Sequence, residues 1–318
     1  MNCEVLCVGM SVVDILAIGV SGFPEPGTTS MIRGVDMSLG GDAVNEANVI
    51  RCLGHRSGLM TAVGNDACGA YIRSQCEEKG IDTAGIHVNP SYVTSASVVL
   101  IQEDGERSFL SRPDGSADSF GSADVDLSLI QPGLKVLSIG SLFTSRDFDL
   151  NCAAKVLRRA KEVGAVTVAD FVTNRKDGTL DEIQQVLAYL DYAIPSKGEA
   201  LYYTGMDDVE SAARAFLERG VKNVVVKLGT DGALALNAGG KWTVPAIPAR
   251  TVDTTGAGDN FVGGFIVGLL EDRDLVGCME FAAATASVSV EAVGAVSGVR
   301  SHEQVMNRLK QLERKDQL

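Results

Sequence analysis

Short, continuously apolar runs alternate with stretches of helical spacing along most of the chain. Glu4–Val8 reads as a strand ending at Gly9, and Gly41–Leu53 carries apolar residues at helical spacing. Ser57–Val63 reads as a strand, and Cys68–Lys79 as a helix closed by Gly80. Farther on, "KVLSIG" (135–140), "AVTVAD" (165–170), "YAIP" (192–195) and "NVVVKLG" (223–229) are short buried strands, with helical segments such as Asp147–Val163 and Val209–Arg219 among them. Unbroken apolar strands separated by helices predict an α/β fold with a mostly parallel sheet covered on both faces. The last 60 residues read as mainly helical.

Two stretches break the rhythm. "PGTTSMIRGVDMSLGG" (26–41) and "SYVTSASVVLIQEDGERSFLSRPDGS" (91–116) have strand periodicity, with a turn at Glu103–Glu106 in the second. No crossover helix intervenes, so they are expected to pair antiparallel with each other as a small sheet beside the main domain. Such a flap serves as a lid or an oligomer contact, unless it is a peripheral hairpin. The apolar run Val5–Val20 is interrupted by Asp14, follows no basic stretch and is too short to span a bilayer. It reads as a strand entering a site. No targeting segment and no membrane partner are expected.

Composition narrows the partners. The chain has 318 residues, 45% of them hydrophobic, enough for one large α/β domain. A net charge of -13 repels a polyphosphate backbone and argues against nucleic acid. It leaves a small anion open, since backbone N–H groups and a metal ion can hold one. Seven cysteines are scattered without a C-x-x-C, and His55, His87 and His302 are far apart in sequence. Reduced core thiols and a cytoplasmic location are expected rather than a disulfide framework or a zinc site.

The densest chemistry lies in "DTTGAGDNFVGGF" (253–265), a turn feeding a helix, with Thr254 or Thr255 near the cap. Its first amides, at Gly256, Ala257 and Gly258, form a natural anion site. Asp259 is then out of place, because a carboxylate weakens anion binding. It fits if it takes a proton from a hydroxyl that attacks the bound anion, and otherwise it only caps the helix. A dinucleotide reading of the glycines is weaker, since no long strand directly precedes them. A second cluster, "LGGDAVNEANVIRCLG" (39–54), allows close backbone approach at Gly40-Gly41 and sets Asn45 on the first turns of a helix. Its amide both donates and accepts, which suits sugar hydroxyls, and Asp42 adds an acceptor.

In order and spacing these two segments resemble the two signatures of the ribokinase family, the PfkB-type carbohydrate kinases. "GGDAVNEA" with Gly54 and Gly64 is similar to the first, and "DTTGAGDNFVGGF" to the second. The likeness runs from "VGMSVVDI" to "SVEAVGA", and its wording is nearest to bacterial sugar kinases of ketoses and sugar acids. It implies a three-layer α/β/α sandwich over residues 1–318, with a small β-sheet lid from about 15–38 and 92–115.

The resemblance implies residue roles. Asp259 would be the catalytic base, with the amides of Gly256, Ala257 and Gly258 on the γ-phosphate of ATP. Asp14, Gly41, Asp42 and Asn45 would hold the sugar. "VKLGTDGAL" (226–234) would run along the ATP with Lys227, Gly229 and Gly232, and "FAAATASVSV" (281–290) beside the adenine with Ala283. Lys227 equally suits a solvated charge. Asp253, Thr255, Ser289, Ala292 and Gly294 match positions that bind a monovalent cation, such as potassium, in some relatives. The Asn-x-x-Glu motif linked to Mg2+ appears as "PSKGEA", with Ser196 in the Asn position and Glu199 retained to orient metal-bound water. Arg107 and Arg112 on the flap, and Arg175 beyond it, are candidates for an anionic group on the substrate, Arg107 first.

The expected activity is ATP-dependent phosphorylation of a hydroxyl, primary by preference, on a monosaccharide, ketose or sugar acid. A nucleoside kinase of the same fold and a silent sugar- or nucleotide-binding regulator are the alternatives, with a nicotinamide-dependent dehydrogenase more distant. Association into a homodimer through the lid is expected.

Overall fold

The computed structural model describes residues 2–103, 106–173 and 178–313. The turn expected at Glu103–Glu106 lies partly outside the described residues, and Arg175 lies outside them altogether. β1 (Val5–Val8) opens the main sheet, and β2 (Val12–Ile18) and β3 (Gly34–Gly40) belong to a second one. α1 (Asp42–Cys52), β4 (Ser57–Gly64), α2 (Ala67–Glu78) and β5 (Asp82–Asn89) follow, then β6 (Ala96–Ile101), β7 (Arg107–Ser111) and the short α3 (Ser116–Ser119). The middle of the chain supplies β8 (Val136–Leu142), α4 (Ala153–Glu162), β9 (Val166–Phe171), α5 (Gln184–Leu187), β10 (Tyr192–Ala193), α6 (Lys197–Thr204) and α7 (Val209–Glu218). β11 (Asn223–Lys227), β12 (Ala233–Asn237) and β13 (Gly240–Val244) precede three helices, α8 (Ala257–Leu270), α9 (Leu275–Ser289) and α10 (His302–Glu313).

Nine strands form the main sheet in the order β13-β12-β11-β10-β9-β8-β1-β4-β5, parallel except for the β11-β12-β13 hairpins. Side chains alternate across it. In β1, Val5 and Cys7 join the core under α1, α2, α8 and α9, while Leu6 and Val8 join the core under α4, α5 and α7. The result is the three-layer sandwich expected from the strand pattern. Side chains cap the starts of α2, α6, α7 and α9, as where Asp66 accepts from the Gly69 amide at 2.8 Å.

The small sheet departs from expectation. Its order is β3-β2-β6-β7, so the 26–41 and 91–116 stretches do not pair with each other. β2 lies between them, antiparallel to β3 and parallel to β6. The apolar N-terminal run is two strands in two sheets, parted at Gly9 with φ +147°. Gly9 marks the end of the first strand in the sequence, but the mainly apolar residues after it carry no mark of a change of sheet. β5, β12 and β13 are further strands that the hydrophobic pattern alone does not set apart. Leu16, Val99 and Ile101 give the small sheet its own buried cluster, while Val13 and Leu39 tie its base to the main core.

Two glycines in "DNFVGGF" serve packing rather than ligand approach. A Cβ on Gly263 would lie 2.1 Å from Val49 Cγ1 of α1, and one on Gly264 would lie 2.5 Å from Thr285 Oγ1 of α9. α8 is therefore wedged against both neighbours, which sets its first turn against that of α1. Gly263→Val should destabilise by about 1–3 kcal/mol, enough to lower the midpoint by several degrees in thermal unfolding. An unchanged midpoint would contradict this close approach.

Candidate active site

The first turn of α8 is built by its glycine cap. Gly256 is in the left-handed region at φ +72°, where a Cβ would also strike Ala295 Cβ at 2.4 Å. Asn260 fixes the turn by donating to the carbonyls of Gly256 (2.7 Å) and Ala295 (2.9 Å). Its neighbour Ala257 donates to the Thr254 carbonyl at 3.1 Å. Among the described residues the amides of Gly256, Gly258 and Asp259 find no acceptor, so the outward-facing set is shifted from the Gly256–Gly258 triplet expected. Asn260 carried no signal beyond its place after Asp259.

These amides close one end of a cleft of about 480 Å3 lined by Lys227, Gly229, Gly232, Ala257, Gly258, Phe261 and Ala283, among others. The residues expected along a nucleotide are thus brought together, apart from Ser196 and Glu199. Ser196 caps α6: its hydroxyl accepts from the Glu199 amide at 3.3 Å, and Glu199 Oε2 accepts from the Ser196 amide at 2.7 Å. The charge of Glu199 still acts on Lys227, Asp170 and Asp259. Among the described residues no three His, Cys, Asp or Glu side chains group to hold a metal ion.

Asp259 is buried at 9% exposure and accepts a 2.7 Å hydrogen bond from Asn45 Nδ2. Burial raises its pKa, while Asn45 and the Lys227 ammonium pull it back. Asp42 stands close enough to feel it. Burial and the charges of Asp259, Asp170 and Glu46 hold Asp42 well above the usual carboxylate range, with Lys227 pulling back. Repulsion between Asp42 and Asp259 is mutual, and Asp259 has the better partners. Asp42 is pushed up the further, so Asp259 is the member that gives up its proton first. Asn45 Oδ1, in contrast, is buried without a hydrogen-bond partner.

Asp14 lies on β2 beside the glycine pair, since a Cβ on Gly40 would meet its Oδ2 at 2.4 Å. Gly41 is the N-cap of α1 at φ +96°, against the Met10 carbonyl. Burial pushes Asp14 up to about 6, with Arg107 pulling back. Arg107 itself reaches from β7 to the turn before α8, 2.5 Å from Asp253 Oδ2 and 2.7 Å from Thr255 Oγ1. Asp253 also accepts from the amides of Thr255 (2.9 Å) and Gly294 (2.5 Å). Ser289 ends α9, and the Val290 carbonyl holds the amides of Val252 and Asp253, so Ala292 lies in the adjoining turn. Of the five positions matched to a monovalent cation, Thr255 and Gly294 bind the carboxylate of Asp253, which already carries a guanidinium. Arg112 is exposed.

Two acidic residues had no sequence signal as site residues. Asp170, next to last in β9 and 3% exposed, pairs with Lys227, so that lysine is not a solvated charge. Burial pushes Asp170 up to about 7, the Lys227 ammonium acting against it. Glu46 is fully buried on α1 with neither carboxylate oxygen hydrogen-bonded, and burial holds it well above its ordinary range. All seven cysteines are free, with burial pushing Cys76 and Cys278 up to about 12.

The family described as pfkB family carbohydrate kinase matches residues 4–301. An ATP-dependent ribose-1-phosphate kinase of Halopiger xanaduensis is 32% identical, over 89% of this chain and 90% of that protein. The Arabidopsis thaliana ribokinase complexed with ribose and ATP superposes with a TM-score of 0.82 at 27% identity, covering 98% of this chain and 99% of the other. A putative ribokinase II from E. coli in complex with ATP and Mg2+ gives a TM-score of 0.82 at 25% identity, covering 97% and 99%. Among the described residues no helix is long and apolar enough to cross a membrane.

Proposed function

We propose that this chain, which belongs to the pfkB family of carbohydrate kinases, transfers the γ-phosphate of ATP to a primary hydroxyl of a monosaccharide, a ketose or a sugar acid. One observation carries the reading. A buried carboxylate, Asp259, follows the free amide of Gly258, which lines a cleft large enough for a nucleotide. Asp259 takes the proton of the acceptor hydroxyl, which attacks the terminal phosphorus in line while the α8 amides hold its oxygens. Asn45 orients Asp259 through one amide group and offers its unpartnered Oδ1 to a sugar hydroxyl, with Asp14, Asp42 and the Gly41 backbone as further acceptors.

The cleft fits ATP along Gly229, Gly232 and Ala283, with its mouth at Gly258. Mg2+, carried on the phosphates, would neutralise their charge, and Glu199 is the residue that would hold its water, in keeping with an ion that needs few protein ligands. Potassium fits less well. A cation on the carbonyls of Ser289, Ala292 and Gly294 would share Asp253 with Arg107. The small sheet acts as the lid that excludes water, its Arg107 engaged with the turn before α8. With that guanidinium occupied, an acidic group on the substrate would have to compete for it.

Two lids are proposed to pair in a homodimer. Val35 on edge strand β3 and Phe109 on edge strand β7 are 70% and 54% exposed, and an apolar sheet edge of this kind favours burial against a second copy. Val35→Glu with Phe109→Glu should turn a dimer into a monomer in sedimentation or light scattering. A wild-type monomer at micromolar concentration would remove the proposal.

An ADP-release screen over sugars of five to seven carbons, acidic ones included and nucleosides as the competing class, identifies the acceptor. With that acceptor, Asp259→Asn should lower kcat by about 10²–10⁴-fold with an unchanged melting temperature. Near-normal turnover would exclude Asp259 as the base.

Because the base acts only when ionised, and burial raises its pKa, turnover should rise with pH through a midpoint above the ordinary carboxylate range. Because Asp42 still holds its proton when Asp259 ionises, Asp42→Asn should leave that acidic limb in place. A limb moved to lower pH would show that Asp42 competes with Asp259 for the charge.

A further inference from the structure

The end of β11 offers more than backbone contacts. Lys227 is held there by its amide, which donates to the Pro195 carbonyl at 2.9 Å, and by a bridge to Ser196. β10, the strand between β9 and β11, is only two residues long. The chain runs on through Ile194–Ser196 between its neighbours, and the Lys227 side chain passes across it to pair with Asp170 on β9. The two side chains are 13% and 4% exposed.

A dry ion pair is a weak source of stability, because desolvation of both charges offsets their attraction, and two apolar side chains would fill the space as well. Its position gives it a use. A Cβ on Gly258 would lie 3.3 Å from Lys227 Nζ, so the ammonium stands against the first turn of α8, next to the free amides. Asp259, Asp42, Glu46 and Glu199 surround the same spot electrostatically. Burial works against the Lys227 charge, but Asp170, Glu199 and Asp259 outweigh it and raise its pKa, so it stays protonated at neutral pH. An anion arriving at the α8 amides meets several acids. The helix end offers only about half a positive charge against them. Lys227 is the full cation acting on Asp259 among the described residues.

We propose that Lys227 is a catalytic residue whose ammonium contacts the terminal phosphoryl group of ATP beside the α8 amides, and that Asp170 is the positioning residue that keeps it there. The identity of the anion rests on the kinase reading above. During transfer the bond from the terminal phosphorus to the bridging oxygen breaks, and a bond from that phosphorus to the acceptor oxygen forms. The acceptor proton passes to Asp259, and ADP leaves with the bridging oxygen. Lys227 keeps its proton throughout and follows the equatorial oxygens of the moving group.

The test needs no acceptor. Affinities of the whole chain for MgATP and MgADP are measured by titration calorimetry for wild type, Lys227→Met, Asp170→Asn and the double variant. Loss of a charge-assisted contact to the terminal phosphate should weaken MgATP by about 10–100-fold in Lys227→Met, with MgADP changed by less than about 3-fold. Asp170→Asn should give a smaller loss with the same selectivity. The double variant removes both members of the pair, so it should be less destabilised than Lys227→Met and still show the selective loss. Equal losses for both nucleotides, or none, overturn the proposal at any melting temperature. A wild type that binds neither nucleotide overturns it together with the kinase reading. Near-normal turnover of Asp259→Asn beside a selective loss in Lys227→Met removes the base and leaves Lys227 in place.

Discussion

The hydrogen bond from Asn45 Nδ2 to Asp259 Oδ2, 2.7 Å long, joins the first turns of two helices that are 214 residues apart in sequence. Much of the chemistry depends on that junction. It requires α1 and α8 to approach closely, which the missing side chain at Gly263 allows. It orients a carboxylate that would otherwise repel the anion site beside it. It also leaves Asn45 Oδ1 unpaired and buried, so that the sugar side and the phosphate side of the site meet in one amide.

Around this junction the chain gathers more acid than base. Asp42, Glu46, Asp170 and Asp259 lie close enough to perturb one another, and burial pushes every one of them upward. Such a cluster is tolerated because protons stay on the less well partnered members while Asn45 and Lys227 keep Asp259 charged. Arg107 has a comparable role in the loop leading into α8, where it satisfies Asp253 and ties the small sheet to that loop. Of the four acids, Asp259 is the one that both Asn45 and Lys227 pull back toward the ionised form.

The three-layer architecture was legible because buried parallel strands and amphipathic helices carry distinct hydrophobic periods. The two glycine-rich segments carried the family resemblance, which the match over residues 4–301 bears out. Other features had no local mark. The glycines of "GAGDNFVGG" look alike in sequence, yet Gly256 bends the cap while Gly263 and Gly264 admit neighbouring helices. The acid of "AVTVAD" reads as a strand end until the short β10 brings Lys227 to it. β2 was hidden because the backbone at Gly9, and not any change in hydropathy, hands the chain from one sheet to the other.

The account turns on where the end of the triphosphate lies. A crystal structure of the chain with Mg2+ and a non-hydrolysable ATP analogue measures this directly. The account predicts the terminal phosphate within hydrogen-bonding distance of the Gly258 and Asp259 amides, with the Asp259 carboxylate facing its far side. A terminal phosphate bound away from the α8 amino terminus would contradict it.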